Sequence, residues 1–257
     1  VGSPQGVVVS HFGDVITSEQ GLISDGYSLI LDPKLHGKDL YLKIETKNVL
    51  HPNFKIDTIE RVTQRSKVTS VILGGIFAIS LCYLMWALSA SAVAPNFVIF
   101  AFVARLVLFM ATLSIHSGAL RDLTSTGQLP PQDVAHNVTA LGYVTAAQLF
   151  DLLLLRTVSS SWMIKLFGVL LGIFTLTKFS LYAVGQVSDA LLVNNLSALI
   201  ILLLGSIAAG STFWQGKQRS QTQTGLILLY FVLQFVPIFM LIILSQFDSN
   251  QYQAVFD

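Results

Sequence analysis

Uncharged apolar runs longer than any ordinary soluble core requires set the limits on this chain. Residues 68–104 hold no Asp, Glu, Lys or Arg, and neither do 190–216 or 220–247. A bilayer core of about 30 Å is crossed by about 20 apolar helical residues, and a run of about 18 already qualifies. Lipid offers the backbone no hydrogen-bond partners, so such runs satisfy themselves as helices. The chain is therefore expected to be an all-α, multi-pass integral membrane protein in direct contact with the bilayer.

The pattern predicts about six transmembrane helices, over 68–92, 96–119, 137–156, 161–186, 190–213 and 224–246, followed by a short polar tail over 248–257. Ala94-Pro95 closes the first span, and a polar loop from Arg121 to Asp133, containing Leu129-Pro130-Pro131-Gln132, separates the second from the third. Trp86, Trp162, Trp214, Tyr143 and Tyr182 fall near expected span ends, as an interfacial aromatic belt requires.

Charge marks the main boundary. Eight of the 15 basic residues and eight of the 14 acidic ones precede residue 68. Residues 1–67 thus read as a polar segment outside the bilayer, followed by a transmembrane bundle over 68–247. The polar segment is expected to be β-rich. Residues 6–10 and 27–31 are short apolar runs, and Asp39-Leu40-Tyr41-Leu42-Lys43-Ile44-Glu45 alternates with period two. Residues 55–67 carry mixed charge and suit a short helix leading into the first span. Lys55, Arg61, Arg65 and Lys67 favour the cytoplasmic or matrix side for this segment, although Arg156, Lys165, Lys217 and Arg219 fall on the opposite face of a six-span chain.

A net charge of +1 gives no electrostatic case for nucleic acid. The single Cys82 excludes an intrachain disulfide and any multi-cysteine metal site, and is expected to be a small core residue. There is no GxGxxG, GxxxxGK[ST], HExxH or GxSxG motif. His116 and His136 are ill-matched for a haem pair. No cofactor, metal or catalytic residue is expected.

The informative residues are polar ones inside the spans, because a charge in hydrocarbon costs at least ~2.5 kcal/mol. Arg105 lies near the middle of the second span and Asp151 toward the end of the third. In antiparallel neighbours their levels differ by about four residues, or ~6 Å, which an extended arginine covers. An Arg105–Asp151 pair is expected, with Gln234 of the sixth span completing the cluster and Pro237 bending the helix beyond it. A second group, His116, Lys178, Asn194 and Asn195, lies toward the other face. These residues could line a polar pocket, or Lys178 could snorkel to the interface while the amides join helices. Small residues at four-residue spacing, Gly74 and Ala78, Gly168 and Gly172, and Ser206 and Gly210 with Gly205 and Ala209, are expected to let helices approach closely.

Two local likenesses accompany this reading. Arg105-Leu106 resembles the essential-arginine helix of the proton-channel subunit of rotary ATP synthases. The flanking residues depart from that pattern and four spans follow instead of one, so no role carries over. Leu113-Ser114-Ile115-His116-Ser117, with the Gly/Pro loop and Leu-rich third span after it, resembles Golgi and lung-type seven-helix proteins with an N-terminal β domain over about 40 residues; a seventh span has no counterpart here.

Three functions fit. The chain could move an ion or small solute past Arg105, Asp151 and Gln234. It could be a non-catalytic membrane subunit, joined to other subunits or to itself, in which those residues only hold helices together. It could be a receptor-like or trafficking protein whose N-terminal segment binds a ligand. Transport stands first on the default reading of intramembrane charge.

Overall fold

The computed structural model describes residues 59–117, 132–158, 162–214 and 222–236. They form six helices: α1 (Ile59–Val93), α2 (Phe97–His116), α3 (Gln132–Arg156), α4 (Trp162–Ala183), α5 (Val187–Trp214) and α6 (Thr222–Val236). Five of them, α1 to α5, are long and apolar enough to cross a membrane. The protein is thus an integral membrane protein with several helical passes. The strands expected over residues 6–45, the loop around Pro130, the bend at Pro237 and the tail over 248–257 lie outside the described residues.

The helix ends follow local chemistry. Asn96 caps α2, its side chain accepting from the Val98 N–H at 2.9 Å. α4 ends at Gly185, whose φ of +84° suits a residue without Cβ. The Gly185 N–H donates to the Tyr182 carbonyl at 3.0 Å and the Gln186 N–H to that of Leu181 at 2.9 Å, the paired bonds of a left-handed helix cap. α1 begins at Ile59, so the short helix expected before the first span is continuous with it. α3 starts at Gln132, earlier than the expected 137, and Tyr143 consequently sits midway along it, its ring tilted against that of Phe109 with centroids 5.5 Å apart, instead of at a span end.

Neighbours run antiparallel. Phe102 meets Phe150 and Leu108 meets Gly142 between α2 and α3; Leu152 meets Gly168 between α3 and α4. The start of α3, the end of α4 and the start of α5 therefore share one end of the bundle. The core lies among α3, α4, α5 and α6, where Leu155, Phe167, Ile201 and Phe231 are closed to solvent. α5 turns one stripe inward, Ala190, Asn194, Ser197, Ile201, Gly205 and Ala208, at the spacing of one helix face.

Close approach is concentrated at Gly205. A Cβ there would stand 2.5 Å from Cε1 of Phe231, so only glycine lets the α6 ring seat against α5. The other glycines expected to pack are looser. Gly168 faces Leu152 at 3.6 Å, whereas Gly74, Gly172 and Gly210 have nothing within 4 Å of a Cβ. Ser206 turns back on its own helix, donating to the Leu202 carbonyl at 2.8 Å. Cys82 is exposed on α1, not a core residue as expected, because most of the circumference of α1 has no neighbour among the described residues.

Candidate functional site

α3 carries the polar residues that organise the bundle. Asp151 is 4% exposed and is approached by three polar groups from two other helices. The Tyr230 hydroxyl of α6 donates to Asp151 Oδ1 at 2.7 Å, and Gln234 Nε2, one turn further along α6, reaches the same oxygen at 3.5 Å. Arg105 of α2 approaches it at 3.9 Å and donates to the Tyr230 hydroxyl. Tyr230 thus stands between guanidinium and carboxylate, accepting from one and donating to the other. The Arg105 guanidinium also lies 5.6 Å from the Phe150 ring centroid and 5.9 Å from that of Tyr230, so aromatic faces clothe the charge where lipid would not.

The second cluster begins one turn away on α3. Gln148, three residues before Asp151, donates through Nε2 to Ser197 Oγ of α5 at 3.0 Å. Ser197 donates in turn to the Asn194 carbonyl at 2.7 Å. The Asn194 side-chain oxygen accepts from Lys178 Nζ of α4 at 2.8 Å. Lys178, Asn194, Ser197 and Gln148 are each buried. Polar groups therefore follow one another from Lys178 to Gln148 and, across one turn of α3, from Asp151 to Arg105.

Lys178 is fully buried and does not snorkel. The reason is helical phase: Ile164, Phe167 and Leu171 mark the inner stripe of α4, and Lys178 falls on the same stripe two turns later. Asn194 and Asn195 part company for the same reason. Adjacent helical residues differ by about 100°, so Asn194 points inward and Asn195 is exposed. His116 is the last residue of α2, and its side chain lies outside the described residues. No group of three His, Cys, Asp or Glu able to hold a metal occurs among the described residues.

Sequence reasoning missed Tyr230, Gln148 and Ser197. The signals were local. Tyr230 precedes Gln234 by four residues, and Gln148 precedes Asp151 by three, both spacings that share a helix face.

No family model matches this chain, and neither a curated protein nor a solved structure matches it.

Proposed function

We propose that the protein moves an ion or a small solute through its membrane along the polar groups that α3 links, from Lys178 and Asn194 past Gln148 to Asp151, Tyr230 and Arg105. The observation that carries this reading is Lys178. A helix brace needs its charges matched, and Arg105 has Asp151. Lys178 is fully buried, and among the described residues its hydrogen-bond partner is the neutral Asn194. A buried cation held without a counter-charge is costly to keep and is the mark of a pathway more than of a strut. The test is flux in sealed vesicles containing only the purified protein, read with trapped indicators for protons, potassium and chloride and by uptake of radiolabelled acetate. Lys178→Met and Arg105→Ala are expected to abolish a flux that the unaltered protein supports. Rates no greater than those of protein-free vesicles for every probe would remove the reading.

A second reading rests on the other cluster. Arg105, Tyr230 and Asp151 satisfy one another across α2, α3 and α6, which suits a brace in a non-catalytic subunit of a larger membrane assembly. Gentle detergent extraction and mass measurement of the native particle would test it; a lone chain or a homo-oligomer would count against it.

A further inference from the structure

We infer that Lys178, Asn194, Asn137 and Thr175 form an anion-binding site between α3, α4 and α5, near the bundle end that holds the α4–α5 turn. Depth brings the first three together. Asn137 lies five residues into α3, Lys178 five residues before the end of α4 and Asn194 seven residues into α5. At 1.5 Å per residue all three stand ~8–10 Å inside the same end. The Tyr182 hydroxyl, which donates to the Val134 carbonyl at 3.4 Å, ties α4 to α3 at that level.

Direction agrees with depth. Asn137 precedes Gln148 by three helical turns, so both share one face of α3. Gln148 bonds Ser197 of α5, which turns that face toward α5. Asn194 lies one turn before Ser197 on the inner stripe of α5, where Lys178 meets it. Thr175 is one turn before Lys178 on α4.

Unused donors make this an anion site. Lys178 is 0% exposed. Its ammonium carries three donors, of which one meets Asn194; the Phe179 ring, 6.0 Å away, is its other neighbour of note. Asn137 is only 6% exposed. The buried Thr175 hydroxyl has no hydrogen-bond partner among the described residues. That is unusual here, since Thr112, Thr139, Thr145 and Thr212 each bond a carbonyl one turn back. An ammonium, an amide and a hydroxyl at this level of the bundle are completed by an anion that accepts from all three. A phosphate or carboxylate oxygen has this chemistry, whether it belongs to a free solute or to a lipid headgroup. Because Lys178 is closed off, the anion enters when the α4–α5 end parts from α3, where the Tyr182 hydroxyl reaches the Val134 carbonyl at 3.4 Å. That the anion is the transported solute rests on the reading above; its binding does not, and is measured apart from flux.

The experiment uses the full chain in nanodiscs of phosphatidylcholine, at constant ionic strength with gluconate as the bulky reference anion. Inorganic phosphate and acetate are titrated while thermal unfolding is followed. Saturable stabilisation is expected, with the apparent Kd raised at least about tenfold by Asn137→Ala, kept by Lys178→Arg, and binding lost in Lys178→Met. Stabilisation by added phosphatidylglycerol, and not by the free anions, would assign the same site to a lipid headgroup. No saturable effect of any of these anions, or an effect unchanged in Lys178→Met, would overturn the site. Lys178→Met removes an unmatched buried charge, so it is expected to fold; should it not, the Asn137→Ala titration decides alone. Binding retained where flux is absent would fall on the transport reading and leave the site standing.

Discussion

The Tyr230 hydroxyl donates to Asp151 at 2.7 Å while accepting from Arg105, so a single phenol joins α6 to both α2 and α3. Its neighbour in sequence, Phe231, seats against Gly205 of α5. Two consecutive residues thus dock one helix on three others, one through polar bonds and one through shape.

Removing the phenol oxygen should loosen that dock without emptying it. Tyr230→Phe keeps the ring between Phe150 and Phe231 but leaves Asp151 with Gln234 at 3.5 Å and Arg105 at 3.9 Å. A loss of about 1–2 kcal/mol is expected, because the bond removed is made to a buried carboxylate. Unfolding in detergent, followed by circular dichroism, measures it; an unchanged midpoint would mean that Tyr230 holds neither partner.

The charged pair itself should show strong coupling. Arg105→Ala strands the buried Asp151 and Asp151→Ala the half-buried Arg105, and each is expected to cost about 3 kcal/mol, whereas the double substitution should cost clearly less than the two together. A double-mutant cycle on the same unfolding signal reads the difference. Additive losses would place the two residues in separate roles.

Much of this arrangement can be read from the chain, and the reasons differ by residue. Span positions are legible because lipid imposes one backbone solution on any long uncharged run. The nearness of Arg105 to Asp151 follows from their distances to the shared end of two antiparallel spans. Tyr230 is hidden among the 7 tyrosines and 17 phenylalanines of an aromatic-rich chain, since nothing in spacing separates a bridging phenol from a packing one. Lys178 was legible in phase, one stripe with Ile164, Phe167 and Leu171, yet its length makes snorkelling equally good chemistry on paper. The exposure of Cys82 depends on how little of α1 its neighbours cover, which periodicity does not encode.

Glycine identity should matter at one place and not at another. Gly205→Ala drives a methyl to 2.5 Å from the Phe231 ring, so overpacking of about 1–3 kcal/mol is expected. Gly172→Ala meets open space and should change stability little. Thermal unfolding of the two variants side by side checks the contrast. Equal effects would show that helix propensity, and not the α5–α6 contact, sets the outcome.

Adjacent asparagines offer the sharpest comparison of inward and outward positions. Asn194→Leu takes the oxygen from Lys178, whose remaining surroundings among the described residues supply no carboxylate, and should destabilise by about 1–3 kcal/mol. Asn195→Leu replaces an exposed amide by a lipid-compatible side chain and should be neutral or mildly stabilising, within about 0.5 kcal/mol. Unfolding midpoints of the two variants, measured side by side, check the contrast; a loss no larger for Asn194→Leu than for Asn195→Leu would show that the Asn194 oxygen does not hold Lys178.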